Sequence, residues 1–229
     1  MKKTISLTLV ISLVISLVFV VLEPQSVSSA ADEIDVTLTV TSDISISAPS
    51  NVTLSPNMGG VVGGTASGDA TWTVVTGDSA GFSMTLKEDD AGPALSGETQ
   101  GDEFADYTPA NASTPDWDWS VADSTAEFGF TIVPETAADA VPDFLDDATD
   151  TCGAGDASNQ TTEKCWFGFN GATEVPIINR SSETDWGGQD EKVIFKAELY
   201  NSDGIPDDDA GMLIEDTYKA IITATVVTN

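Results

Sequence analysis

Apolar and polar residues alternate along much of this chain, and a period of two is the pattern of a strand with one buried face. From Ile34 to Val40 the apolar side chains face one way and Asp35, Thr37 and Thr39 the other. Tyr218–Val226 is as regular, but apolar residues occupy both of its faces. That pattern is typical of a central strand or of a strand that pairs with another molecule.

The remaining strands are predicted from shorter runs bounded by Gly, Pro, Asp and Ser. They lie at Ile44–Ile46, Val52–Leu54, Thr71–Thr76, Gly81–Lys87, Asp116–Val121, Glu127–Val133, Cys165–Phe169 and Lys192–Leu199. The strand that contains Tyr218–Val226 is predicted over Thr217–Thr228. The short turn 77–80 predicts that the strands on either side of it form a hairpin. Thr136–Ala148 has loosely helical spacing and is predicted as a short helix, limited by Pro142.

Many short strands separated by turn residues predict an all-β fold, an antiparallel β-sandwich of the Ig-like or jelly-roll kind. Acidic stretches rich in turn residues separate the strands: 88–115, 134–164, 170–191 and 201–216. We expect a single sandwich domain over 31–229, with a loop-rich insertion around 134–191.

The N-terminal thirty residues have the features of an export signal. Lys2 and Lys3 precede the apolar run Ile5–Leu22, and Ser28-Ser29-Ala30 supplies small residues for a signal peptidase. We therefore predict a signal helix within residues 1–30, cleavage after Ala30, and a secreted or cell-surface protein. The alternative is an uncleaved segment, long enough to anchor the chain in a membrane.

The chain is strongly acidic, with 38 Asp and Glu against 8 Lys and Arg and a formal net charge of −30. Nucleic acids and anionic lipids both require clustered basic residues, so neither is an expected partner. The charge favours solubility, cation binding or a high-salt medium, unless the carboxylates are simply a solvated surface. Membrane contact is expected only through the signal segment, if that segment is retained.

Cys152 and Cys165 are the two cysteines of the chain. In an oxidising compartment an even pair most simply forms a disulfide, here across a polar stretch. A zinc site is the weaker alternative, because two thiolates without any histidine cannot complete a typical zinc shell.

Histidine is absent from the sequence, which removes the usual Ser-His-Asp and Cys-His apparatus of nucleophilic catalysis. Paired carboxylates could hydrolyse glycosidic bonds, but acidic residues are so abundant that any two could be paired. We therefore predict a protein that is not an enzyme and that requires no cofactor.

Calcium is the one ion that the sequence suggests. Asp203, Asp207 and Asp209 lie in a single loop with Asn201, Asp208 and Gly204, and Ca²⁺ prefers such oxygen ligands. A second acidic cluster near the cysteines comprises Asp143, Asp146, Asp147 and Asp150. The alternative for both clusters is a set of solvated turns.

Five tryptophans could fill the core or bind a ligand. Trp117 and Trp119 alternate on a predicted strand and would share one face, as a platform for sugar rings or a partner or as core. Trp72, in an apolar strand, is predicted to be core. Trp166 and Trp186 lie in loop-rich regions and are further candidates for ligand contact.

Three strand motifs, Thr71-Trp72-Thr73-Val74, Gly81-Phe82-Ser83-Met84-Thr85-Leu86 and the closing run Thr217–Thr225, follow the predicted signal and a Thr-rich strand. In this framework the chain resembles secreted bacterial surface β-sandwich proteins of the WxL-domain and camelysin/TasA-like groups. Trp117-Asp118-Trp119 is not a Trp-x-Leu motif, which argues against peptidoglycan attachment of the WxL kind. The resemblance implies a noncatalytic extracellular protein and allows a fibre-forming one, in which a strand is donated to the neighbouring subunit.

Together these patterns predict a secreted structural or adhesive protein of the cell surface or extracellular matrix. Its expected partners are further copies of itself, or other surface proteins and glycans. The alternative is a carbohydrate-binding module or adhesin that uses Trp117, Trp119, Trp166 or Trp186.

Overall fold

The computed structural model describes residues 37–41, 43–89, 92–146, 149–153, 163–171, 173–201 and 213–229. The chain divides into two compact units, Met1–Val40 and Thr41–Asn229. In the first unit only residues 37–40 are described; they are exposed and form no strand, although a strand was predicted there. The predicted signal peptide and the rest of that strand, residues 34–36, lie outside the described residues.

The second unit is an all-β structure, with no α-helix among its described residues. Its ten strands are β1 (Ile44–Ile46), β2 (Gly64–Thr76), β3 (Phe82–Glu88), β4 (Leu95–Gly97), β5 (Glu103–Asp106), β6 (Thr125–Pro134), β7 (Val175–Arg180), β8 (Gln189–Tyr200), β9 (Tyr218–Lys219) and β10 (Ile222–Thr228). The prediction of an all-β fold is confirmed.

The strands form a seven-stranded sheet in the order β1-β2-β8-β6-β5-β4-β9 and a three-stranded sheet in the order β10-β3-β7. The longest ladders join β8 to β2 and to β6, both antiparallel. The pairing of β5 with β6, over Ala105 and Asp106, is parallel, so the described ladders are not all antiparallel as predicted.

Both sheets contribute side chains to one hydrophobic core. Val74, Phe130 and Phe195 enter it from the seven-stranded sheet, and Met84 and Ile177 from the three-stranded sheet. Along β8 buried and partly exposed residues alternate strictly, as expected of a strand with one face on the core. Trp72 is buried in this core, as predicted.

The predicted hairpin at 77–80 is wrong, although both of its strands exist. β2 pairs with β1 and β8, whereas β3 pairs with β10 and β7, so the loop crosses from one sheet to the other. Alternation shows which face of a strand is buried but not which strand lies beside it, and a short loop suits either connection.

Other strand predictions also differ from the structure. The last strand, predicted as continuous over 217–228, breaks at Ala220–Ile221 into β9 and β10, which belong to different sheets. Segments 116–121 and 165–169 form only isolated bridges, Asp116 with Trp166 and Phe130 with Phe167. Stretches predicted to be loops contain β4, β5 and β7, which are too short or too polar for a clear period.

The predicted helix 136–148 is replaced by two 3₁₀ turns, Ala137–Asp139 and Pro142–Phe144. Pro142 has no N–H to continue a helix, and residues before proline favour extended backbone. Val141 is accordingly extended, and it links the two turns.

Candidate functional site

Cys152 and Cys165 form a disulfide with their Cα atoms 5.6 Å apart, which confirms the predicted pair. Both half-cystines are buried. The bond ties residues 149–153 to the segment 163–169, whose Phe167 pairs with Phe130 of β6 in an isolated bridge.

The predicted calcium ligands Asp203, Asp207 and Asp209 lie outside the described residues. Asp143, Asp146 and Asp150 of the second acidic cluster are described, whereas Asp147 is not. Within the described ranges no group of three or more His, Cys, Asp and Glu side chains is placed to hold a metal ion.

Trp119 is a packing residue on the outside of the large sheet. Its ring stacks on Tyr107 with centroids 4.2 Å apart, meets Trp166 edge-on at 5.3 Å, and its Nε1 donates to Glu198 Oε2 at 2.8 Å. Gly129 of β6 makes room for this layer, because a Cβ there would lie 3.1 Å from the Trp119 ring. One face of the Trp119 indole is therefore already covered by Tyr107.

Lys196 lies between these aromatic rings. Its Nζ is 3.9 Å from the centroid of Trp166 and 5.4 Å from that of Trp119. Burial lowers the pKa of Lys196, while the nearby charge of Glu198 raises it. A cation held over two indoles stabilises this aromatic layer, and Trp166 is a buried residue rather than a ligand contact.

Segment 116–121 is not a strand, so the alternation from which a shared face was predicted for Trp117 and Trp119 is absent. Trp117 is half-buried with Lys164 Nζ 5.1 Å from its ring centroid, and Lys164 also pairs with Asp118. Beside it lies a shallow pocket of about 310 Å³ that is also lined by Asn111 and Thr151. Of the predicted pair, Trp117 is the residue still placed to contact a ligand.

Trp186 is entirely exposed on a well-defined turn. The N–H of Gly188 donates to the Asp185 carbonyl at 3.1 Å, and the N–H of Gly187 donates to Asp185 Oδ1 at 2.9 Å. The backbone of this turn is held by hydrogen bonds while its indole makes no ring contact with another described residue.

The three-stranded sheet has two different edges. At one edge, Val141 N–H donates to the Ile177 carbonyl of β7 at 3.0 Å and Ala140 bridges Ile178, so residues 137–144 cover β7. At the other edge lies β10, whose one paired neighbour among the described strands is β3; β1 lies near β10 but does not pair with it. From Ala220 to Thr228 the sequence has no charged residue and no proline.

A buried acidic group lies where the two sheets meet near the covered edge. Glu191 of β8 is 1% exposed, and neither of its carboxyl oxygens has a hydrogen-bond partner among the described residues. Burial raises the pKa of Glu191 to about 8; the negative charge of Asp139 acts in the same direction, and Arg180 opposes it. Arg180 Nη1 itself donates to Asp139 Oδ2 at 2.5 Å.

Neither this buried group nor the cover over β7 was predicted. The signal for Glu191 was present, because Glu191 continues the alternation of Val193 and Phe195 toward the core. The predicted strand began one residue too late, at Lys192, to include it.

Comparisons with family models, with curated proteins and with solved structures found no match for this chain. Among the described residues, no helix is long and apolar enough to cross a membrane.

Proposed function

We propose that this chain is a secreted, noncatalytic structural protein of the cell surface or extracellular matrix, a β-sandwich that assembles by strand donation. Two sheets around one core and a disulfide suited to an oxidising compartment support this proposal. So do the export-signal features of residues 1–30 and the resemblance to WxL-domain and camelysin/TasA-like proteins.

The observation that carries the proposal is the position of β10 at a sheet edge. An edge strand presents backbone N–H and C=O groups that can pair with another strand, and proteins usually protect long edges with charges, proline or a cover. The other edge of this sheet is covered, but β10 has no charge or proline from Ile222 to Thr228. β10 is thus the acceptor edge.

Ile34–Val40 of another copy is the donor strand in this proposal. Its sequence alternates apolar residues with Asp and Thr, which suits a strand added at an edge. The side chains of Leu38 and Val40, in the described part of this segment, are exposed in the chain itself.

A charge placed on the acceptor edge tests the assembly. Val227 is 55% exposed on β10, and Val62, which is 71% exposed on a turn outside the three-stranded sheet, gives the matched control. Lysine on an edge strand disfavours pairing, so Val227→Lys should shift the mature protein from assemblies to monomer, and Val62→Lys should not. Sedimentation velocity and electron microscopy measure the difference. A wild-type protein that stays monomeric at all concentrations, or equal behaviour of the two variants, contradicts the proposal.

Cross-linking identifies the donor strand. Leu38→Cys and Val227→Cys proteins are mixed and treated with a short bismaleimide, and a heterodimer is expected if the strand passes between chains. A double variant that cross-links only within one chain, at every concentration, would show that the strand folds back on its own domain.

Glycan binding is the second candidate, and Trp117 at its pocket is the observation that favours it. Trp186, on its exposed turn, is a separate site. On a glycan array we expect Trp117→Ala to lose binding and Trp119→Ala, if it folds, to retain it. Binding that is absent from the wild type, or unchanged in Trp117→Ala and Trp186→Ala, removes this candidate.

A further inference from the structure

Residues 135–144, which we term the edge cover, lie along the outer edge of β7. The cover is fastened by the hydrogen bond from Val141 N–H to the Ile177 carbonyl and by the bridge from Ala140 to Ile178. These few bonds replace the ladder of a neighbouring strand. Apolar packing also holds the cover, because Ala140 and Phe144 are buried in the core and the Phe144 ring lies 5.8 Å from that of Phe130.

Polar side-chain contacts add to this attachment. Asp139, buried in the first 3₁₀ turn, accepts from Arg180 Nη1 of β7 at 2.5 Å. Gln189 Nε2 of β8 donates to Thr136 Oγ1 at 3.2 Å. The charge pair is the stronger of the two, because both of its partners are largely removed from water.

The carboxyl group of Glu191 interacts electrostatically with both members of this charge pair. Asp139 of the cover and Arg180 of β7 act on its carboxyl, together with Glu135 at the start of the cover and Asp190 on its own strand. Three of these four groups are acidic, and no described donor reaches the Glu191 oxygens. An ionised Glu191 would repel Asp139 and compete with it for Arg180.

We propose that the edge cover is a proton-controlled latch: protonated Glu191 keeps residues 135–144 on the edge of β7, and ionisation of Glu191 releases them. Release lets water reach the carboxylate and uncovers the β7 edge. If the proposed function holds, the three-stranded sheet then offers a second edge to an incoming strand.

The direction of the pH dependence follows from the linkage between proton binding by Glu191 and opening of the cover. Glu191 binds its proton more tightly when the cover is closed than when it is hydrated, so closure is favoured at low pH and weakens as the pH rises toward about 8. If the Glu191 carboxyl is fully hydrated when the cover is open, the equilibrium constant for opening the cover rises roughly 50- to 100-fold between about pH 5.5 and about pH 7.5.

Hydrogen exchange read by mass spectrometry tests the latch, after correction for the intrinsic pH dependence of exchange. In the wild type we expect peptides containing Val141 to lose protection by this factor. Glu191→Gln, which cannot ionise, should show a flat profile. Asp69→Asn is the matched control, because Asp69 is exposed on β2 and is not one of the groups that act on Glu191, and it should retain the wild-type profile.

Low urea concentrations separate release of the cover from global unfolding. Local opening exposes less surface than global unfolding and therefore depends less on urea, whereas exchange of the β8 core requires global unfolding and depends strongly on it. The proposal is overturned if Val141 exchanges with the same free energy and urea dependence as β8, or if its protection does not change with pH.

These measurements are made on the monomer, for example in the Val227→Lys background. A result that overturns the latch therefore does not bear on strand donation at β10. A protein that does not assemble can still be tested for the latch.

Discussion

Gly129→Ala tests how firmly the outer aromatic layer is packed on β6. A Cβ at Gly129 would lie 2.6 Å from the Phe167 carbonyl oxygen and 2.8 Å from Tyr107 Cβ, whereas ordinary contact begins at 3.4 Å. The Phe167 carbonyl oxygen and the Tyr107 Cβ must therefore move away by about 0.8 Å and about 0.6 Å, and overpacking of this kind costs roughly 1–3 kcal/mol.

Gly77→Ala is the matched control, because nothing lies within 4 Å of a Cβ at that position. An alanine that fits without strain stabilises by about 0.4–1 kcal/mol through the unfolded chain. Urea unfolding should therefore separate the two variants by roughly 1.5–4 kcal/mol. Near-ultraviolet circular dichroism should report a disturbed layer only in Gly129→Ala.

Equal stability of Gly129→Ala and Gly77→Ala would contradict this expectation. The layer formed by residues 107–120 and 163–169 would then yield at no cost. The assignment of Trp119 as a packing residue would lose its support, and its ring would return as a candidate for ligand contact.

Three other outcomes are expected. Glu191→Gln should raise the free energy of unfolding by about 3 kcal/mol at about pH 7. The reason is that burial raises the folded-state pKa of Glu191 to about 8, so the wild type loses stability as the pH rises above about 4.5. Urea titrations should show the two proteins converging in stability in acid, and a difference that persists there contradicts this prediction. Replacing Cys152 and Cys165 by serine should cost about 3 kcal/mol on the chain-entropy model, measured by thermal unfolding; an unchanged midpoint argues against it. Trp166→Ala should cost roughly 3–5 kcal/mol and Trp186→Ala less than about 0.5 kcal/mol, and equal losses in urea would refute the contrast between a buried and an exposed indole.

Alternation predicted most of the long strands but not their partners. β2, β3, β6 and β8 each have a buried face long enough to show a period of two. The identity of the neighbouring strand depends instead on contacts distant in sequence, as in the ladder that joins β2 to β8. A loop of five residues after Thr76 therefore looked like a hairpin and proved to be a crossing between sheets.

The candidate sites were harder to predict, because irregular segments have no period to read. Trp117 and Trp119 were assigned to one face on the assumption of a strand. The environment of Trp119 depends on the missing side chain at Gly129 and on Lys196 of β8, and that of Trp117 depends on Lys164. Only the cysteine pair was predictable, because its chemistry leaves few alternatives.

The proposed assembly has to work against charge, since each copy carries a formal net charge of −30. Repulsion between copies falls off with the Debye length, about 10 Å at 0.1 M salt and about 3 Å at 1 M. The nine residues from Ala220 to Thr228 carry no charge, so a strand arriving at β10 meets backbone groups and apolar side chains before any carboxylate of that strand. General acidity thus discourages random contacts while this one edge stays neutral, and that combination favours pairing at a defined strand over disordered aggregation.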